Sequence, residues 1–170
     1  ADNGQIVLNL DNSHADQLTI TATENSSIKT GTSSAVQFSE NAFVVTVTDV
    51  RGDDFIAGRN HELQIEAWKR DPATGECGLF TEYSGNLPLK AWLDVSDAHP
   101  SSAALPSITT TSAPVQLPSL SSAPAASNVT LAFSAGVASL QWISTDVGQY
   151  DFNVRDDSSG MVVNSSGQPL

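Results

Sequence analysis

Asp146-Val147-Gly148-Gln149-Tyr150-Asp151-Phe152-Asn153-Val154-Arg155 is the stretch on which the fold turns. Tyr150, Phe152 and Val154 alternate with Gln149, Asp151, Asn153 and Arg155, and a period of two places the apolar side chains on one face of a half-buried strand. Asp146 and Gly148, just before it, are turn formers. Moving outward, Val137 to Ile143 lies beyond a short turn-rich gap. The turn Ser134-Ala135-Gly136 joins that segment to Val129, Leu131 and Phe133, which alternate with Thr130, Ala132 and Ser134, so the pair reads as a hairpin. Leu87, Leu89, Ala91, Leu93 and Val95 form the longest apolar comb. Leu63, Ile65 and Ala67 alternate with Glu62, Gln64 and Glu66, and Phe43, Val45 and Val47 with Val44, Thr46 and Thr48.

No segment carries a helical period. The expected strands lie near 42–49, 60–69, 87–95, 128–134, 137–143, 149–155 and, more weakly, 160–164 around Met161 to Val163. Some seven short strands separated by turn signals indicate two packed sheets. Asp146-Val147-Gly148-Gln149-Tyr150 also has the D-x-G-x-Y spacing that precedes the sixth strand of immunoglobulin-like domains. There the tyrosine ring packs inward and its hydroxyl bonds backbone at the corner. The fold class expected is all-β, an immunoglobulin-like β-sandwich with an extra N-terminal hairpin and a long Pro/Ser-rich connection.

Those two additions lie outside the strand series. Residues 1–40 hold Gln5 to Leu10 and Gln17 to Thr23, read as a hairpin around Asp11-Asn12-Ser13, then Val36 to Phe38. Two strands alone are marginal in water, so this segment should pack on the sandwich or complete a neighbouring domain. The division is therefore 1–40 for the hairpin segment and 41–170 for the sandwich. Residues 96–127, with Pro100, Pro106, Pro114, Pro118 and Pro124, read as an extended connection. So long a loop is unusual in a compact domain, so it should cross between the sheets or pair at an edge near Val115 to Leu117.

Composition narrows the function classes. Charged residues make up 15% of the chain, below the roughly 25% of ordinary soluble domains, and Ser, Thr, Ala and Val fill the gap, as suits an extracellular β-domain. The net charge of −12 repels phosphate backbones and anionic headgroups, which argues against nucleic-acid binding. No run approaches the roughly 18 apolar residues of a membrane helix, so no membrane insertion is expected. Cys77 stands alone, so the chain holds no internal disulfide framework, and the thiol is incidental or pairs with another molecule.

Catalytic signatures are missing from the sequence. His14, His61 and His99 sit beside polar residues without a spaced partner. There is no H-E-x-x-H, G-x-S-x-G or phosphate-binding glycine loop. The expectation is a protein that is not an enzyme. Arg51-Gly52-Asp53 spells an integrin-binding tripeptide, but Arg-Gly-Asp-Asp is also ordinary turn chemistry.

Two constellations remain. Alternating strand direction sends connections 49–59, 96–127 and 144–148 to one pole, with Asp49, Asp53, Asp54, Asp97 and Asp146, and with Asp94 on the adjoining strand end. Calcium takes six to eight oxygens from such carboxylates and carbonyls, so structural calcium is the one cofactor considered, against simply solvated loop acids. Trp68 and Trp92 lie on the polar sides of their strands. Exposed Trp faces stack on sugar rings, so they are the candidate ligand-binding residues, unless 1–40 and 96–127 cover them.

Three blocks carry a resemblance: Tyr83-Ser84-Gly85-Asn86-Leu87-Pro88-Leu89-Lys90-Ala91-Trp92; Asn128-Val129-Thr130-Leu131-Ala132-Phe133-Ser134-Ala135-Gly136-Val137-Ala138; and Thr145-Asp146-Val147-Gly148-Gln149-Tyr150 followed by Arg155-Asp156-Asp157-Ser158. Their order and spacing resemble the repeat region of MshQ-type proteins, encoded with mannose-sensitive haemagglutinin type IV pili in Gram-negative bacteria. The resemblance spans roughly residues 41–165. It implies an exported, secreted or cell-surface protein of β-domains associated with pilus biogenesis or adhesion, and it brings no catalytic residues or ligand site. The function expected is a non-catalytic module for structural presentation or adhesion. Its partners would be neighbouring β-domains, pilus components or surface glycans. The alternative is a carbohydrate-binding domain using exposed Trp; a hydrolase domain is the third reading, with no motif behind it.

Overall fold

Alternating side chains form strands where one row can be buried, and the structure shows this row by row. The computed structural model describes residues 17–24, 29–34, 36–37, 41–49, 55–71, 73–95 and 104–160. Among them the strands, in chain order, are β1 (Gln17–Leu18), β2 (Thr21–Thr23), β3 (Thr30–Thr32), β4 (Val36–Gln37), β5 (Asn41–Thr48), β6 (Asn60–Arg70), β7 (Cys77–Leu79), β8 (Gly85–Val95), β9 (Ser107–Ile108), β10 (Val115–Gln116), β11 (Val129–Phe133), β12 (Val137–Ile143) and β13 (Tyr150–Arg155). The six stronger strands of the sequence reading appear in place as β5, β6, β8, β11, β12 and β13. The seventh, near 160–164, lies outside the described residues.

Two sheets enclose the core. One runs β10-β9-β12-β6-β5, with β7 continuing the β12 edge of β6; the other runs β11-β8-β13, and every named pairing is antiparallel. Leu63, Ile65, Ala67, Ala138 and Leu140 of the first sheet face Leu89, Ala91, Leu93, Val129 and Leu131 of the second, all buried. Fully burying each larger aliphatic side chain contributes roughly 1.5–3 kcal/mol, so these combs dominate the favourable side of folding. The chain changes sheet at the β11–β12 corner through a two-residue turn. Ala135 and Gly136 both have positive φ, 48° and 85°, and Ser134 and Val137 exchange backbone bonds of 2.9 and 3.1 Å. Both positive φ values match the primed turn that suits strand twist.

The Pro/Ser-rich connection does both things expected of it. Ser107–Ile108 pairs with Trp142–Ile143 at the edge of the first sheet and with Val115–Gln116. The chain then crosses, and the Leu93 amide donates to the Pro118 carbonyl while the Leu120 amide donates to that of Leu93, each at 2.9 Å. Between that contact and β11, Ala91 has no strand on the side away from β13. Asn128 fills the gap: its Oδ1 accepts from the Ala91 amide and its Nδ2 donates to the Ala91 carbonyl, both at 2.8 Å. One side-chain amide thus stands in for a missing backbone unit.

In the N-terminal segment, β1 pairs with β4 and β2 with β3. Gln17 to Thr23 therefore folds back against residues 30–37. The other arm of the expected hairpin, Gln5 to Leu10, and its turn lie outside the described residues. Ile20 is 42% exposed, and among the described residues none of 17–37 belongs to the buried core.

Candidate functional site

Strand direction divides the sandwich into two poles of different chemistry. β5 starts and β13 ends at the first pole, near Lys69 and Lys90, their register partners. Here Tyr83 is fully buried and its hydroxyl donates to Asp156 Oδ2 at 2.7 Å. Asp156, 1% exposed, also accepts from the amides of Ser158 and Ser159, each at 2.9 Å, and from the Ser159 hydroxyl. Burial by itself would raise the Asp156 carboxyl, but these donors outweigh it and hold the group below its ordinary value. Burial first, and then the Asp156 carboxylate, push the Tyr83 hydroxyl well above the usual phenol range. Beside them, Lys90 and Arg155 contact Asp157 and hold its carboxyl low. This pole is a latch joining the chain ahead of β8 to the chain after β13.

The opposite pole opens into a cleft of about 390 Å³. Its floor consists of the last inward residues of four strands: Val47, His61, Trp142 and, on β13, Tyr150 and Phe152. Trp142 lies directly across from His61 in the β6–β12 ladder. Phe152 meets Trp142 edge-on at 5.9 Å between centroids, and Tyr150 lies 6.4 Å away on the same ring. Three apolar side chains rim the opening: Phe55 at 59%, Ile56 at 50% and Val147 at 69% exposure, the most exposed large hydrophobics among the described residues. Rimmed apolar concavities of this kind mark binding surfaces.

Polar groups hold the walls. The Gly58 amide donates to the Ser144 carbonyl at 2.6 Å, and the Ser144 hydroxyl donates to the Asp146 carbonyl at 2.7 Å. Asp49 pairs with Arg59 at 2.9 Å and lies 3.5 Å from His61 Nδ1. His61 Nε2 is 3.1 Å from the Ile56 carbonyl oxygen. Both imidazole nitrogens therefore face protein neighbours. Asp49, Arg59 and His61 thus tie the end of β5 and the start of β6 to the 55–59 loop.

The D-x-G-x-Y reading holds in its packing. The Tyr150 ring turns inward, half-buried, and its hydroxyl end lies over Gly148, where a Cβ would sit 2.6 Å from it. Glycine fits there because any larger side chain would have to displace the ring.

The sequence-selected residues are placed as follows. Asp49, Asp94 and Asp146 lie at the cleft pole, as alternating strand direction demands, while Asp53, Asp54 and Asp97 lie outside the described residues. Asp49 is tied to Arg59, and Asp146 accepts from the Ala104 amide at 2.9 Å. Asp94 is exposed and faces Asp151 across β8–β13. Among the described residues no group of three or more His, Cys, Asp or Glu side chains could hold a metal ion. Arg51-Gly52-Asp53, His14 and His99 also fall outside the described residues. Cys77 is free and exposed on β7.

Trp68 and Trp92 are half-buried on the outer faces of different sheets, so the structure does not bring them together. Trp68 Nε1 donates to Glu66 at 2.8 Å. The tryptophan that does line a concavity is the third, Trp142. Its parity with Ala138 and Leu140, at the last inward position before a turn, was the signal available in the sequence.

A family model described as "Domain of unknown function (DUF6701), first Ig-like domain" matches residues 19–166. No curated protein and no solved structure matches the chain. The match takes in β2 to β4 together with the whole sandwich, and its Ig-like description agrees with the all-β, two-sheet architecture. The chain belongs to the DUF6701 family, in which it corresponds to the first Ig-like domain.

Proposed function

We propose that this domain is a non-catalytic module of a bacterial cell-surface or pilus-associated protein of the MshQ type, serving presentation or adhesion. One observation carries the reading. The sandwich receives the chain at Asn41 and releases it after Arg155 at the same pole, while the apolar cleft opens at the other. A module attached through one end presents its opposite end to the surroundings. The resemblance of the blocks around Tyr83, Asn128 and Asp146 to MshQ-type repeats supports the surface assignment. Neighbouring β-domains of the same protein are then its covalent partners, attached at the latch pole.

The test is to display the parent protein with Val147→Asp and Phe55→Ser together in the cleft rim. Attachment of the bacteria to their surface should fall while the displayed amount stays unchanged. Unchanged attachment would leave presentation alone. Turnover of ester, peptide or glycoside substrates by the purified domain, abolished by His61→Ala, would overturn the non-catalytic reading.

A second reading, carbohydrate binding, is favoured by the grouping of Trp142 and Tyr150 with Asp146 and Gln149 around one cleft. It moves the sugar site away from Trp68 and Trp92, and a glycan array with the intact domain separates it from the first.

A further inference from the structure

The connection between Ala104 and Asn128 carries hydroxyls that the fold leaves unused. No Asp, Glu, Lys or Arg falls between Asp97 and Asp146, although the chain as a whole has a net charge of −12. Within that uncharged stretch one short pattern occurs twice, as Thr111-Ser112-Ala113-Pro114 and Ser121-Ser122-Ala123-Pro124. Both copies lie outside the strands, and Ser112, Ser121 and Ser122 are exposed on bends of the chain. The proline that closes each copy offers no N–H to a ladder, which keeps the turn out of the sheets. Hydrogen bonding then separates the hydroxyls. That of Thr110 donates to the Ala113 carbonyl at 2.7 Å, and that of Thr111 to the Thr130 carbonyl at 3.4 Å. Ser112 Oγ meets only the Thr110 hydroxyl, at 3.4 Å, and among the described residues the Ser121 and Ser122 hydroxyls bond nothing.

We propose that Ser112 and Ser122 are acceptor sites for O-linked glycosylation, each carrying a neutral sugar on Oγ. The two serines share their spacing to Ala-Pro, their exposure and a hydroxyl not spent on backbone. Segments rich in Ser and Thr with Pro are the composition of O-glycosylated stalks. Charge selects a sugar over a phosphoryl group. A phosphoserine adds about two negative charges and is stabilised where Arg or Lys can pair with it. This segment supplies neither, in a chain already at −12. Space is present as well. Beside Ser112 lies an open depression of about 340 Å³, lined among others by Thr111, Ser127 and Thr130, whose hydroxyls suit those of a sugar ring.

The step is a displacement at the anomeric carbon of a sugar activated as its nucleotide or lipid phosphate ester. The bond from that carbon to the phosphate oxygen breaks, and the bond to serine Oγ forms. The phosphate departs with the electron pair, and the hydroxyl proton passes to a base of the transferring enzyme. Neither serine hydroxyl has to give up a hydrogen bond to backbone to enter that enzyme's site. The attached sugars then hydrate a segment that exposes Ala113, Pro114, Leu120 and Ala125 and carries no charge of its own.

Mass spectrometry of the parent protein purified from its native host tests this. Trypsin should release residues 91–155 as one fragment, because no Lys or Arg lies between Lys90 and Arg155. The expected result is a mass above that of the bare sequence by two glycans, placed at Ser112 and Ser122 when the fragment is dissociated and removed by alkaline β-elimination. Ser112→Ala and Ser122→Ala should each remove one glycan, and the double variant both. Ser119→Ala, an exposed serine outside the repeated pattern, should leave both in place. All these variants should be displayed in the same amount as the parent, since none of these hydroxyls bonds backbone. A fragment of bare mass, phosphate in place of sugar, or glycans that persist in the double variant would each overturn the proposal.

Discussion

The Tyr83 hydroxyl and the Asp156 carboxylate meet at 2.7 Å although 73 residues separate them. Both are buried, and the bond closes the pole at which the sandwich is attached to the rest of the chain. Replacing Tyr83 by Phe keeps the ring and removes one donor from a buried charge. Hydrogen bonds to charged groups are worth roughly 1.5–3 kcal/mol, so Tyr83→Phe should lower stability by about that amount in urea unfolding. A neutral effect would mean that Ser158 and Ser159 satisfy the carboxylate alone.

The latch sets a pH window. The folded Asp156 carboxyl lies below its ordinary 3.8, so its stabilisation is complete well above pH 3.8 and is lost as pH falls through the lowered value. Tyr83 behaves in the opposite sense. Its folded value lies above the ordinary 10.0, so its contribution is present below pH 10.0 and is lost as pH rises beyond that toward the raised value. Melting profiles against pH should therefore fall at both ends. Asp156→Asn should flatten the acid limb and Tyr83→Phe the alkaline one.

Asn128 replaces a strand on the side of Ala91 away from β13, and its loss should be local. Asn128→Ala removes two hydrogen bonds and should cost about 2 kcal/mol. Hydrogen exchange should then show the Ala91 amide unprotected while Leu89 and Leu93, bonded by backbone on either side, stay protected. Loss of protection along the whole of β8 would mean that Asn128 holds the strand rather than one residue of it.

Two glycines predict a ranking. A Cβ on Gly136 would stand 2.7 Å from the Phe80 carbonyl oxygen, at a φ of +85°, so Gly136→Ala meets both backbone and strain. At Gly148 the obstacle is the Tyr150 side chain, which can move. Gly136→Ala should therefore cost about 3 kcal/mol and Gly148→Ala about 1 kcal/mol. Only Gly148→Ala should also change tryptophan emission markedly, because Tyr150 packs near Trp142.

What could be read ahead of the structure was the part governed by a period of two. Leu63, Ile65 and Ala67, or Leu89, Ala91 and Leu93, are inward because successive side chains leave a strand on opposite faces, and that depends on nothing beyond the neighbouring residues. Strand direction followed by alternation, which is why Asp49, Asp94 and Asp146 fall at one pole. The Asp146-to-Tyr150 motif was legible because it is contiguous.

The rest depended on residues meeting across the fold. Whether Asp49 is a free ligand or the partner of Arg59 is decided by how the 55–59 loop closes, and alternation carries no information about loops. Parity turned Trp68 and Trp92 outward, but only the assignment of β6 and β8 to different sheets put those rings on opposite faces, and only the closing of four strand ends around Trp142 made a cleft. The local period thus determined which residues are inside. Long-range closure decided which of them touch, because Tyr83 with Asp156 and Asn128 with Ala91 are set by packing geometry and not by spacing along the chain.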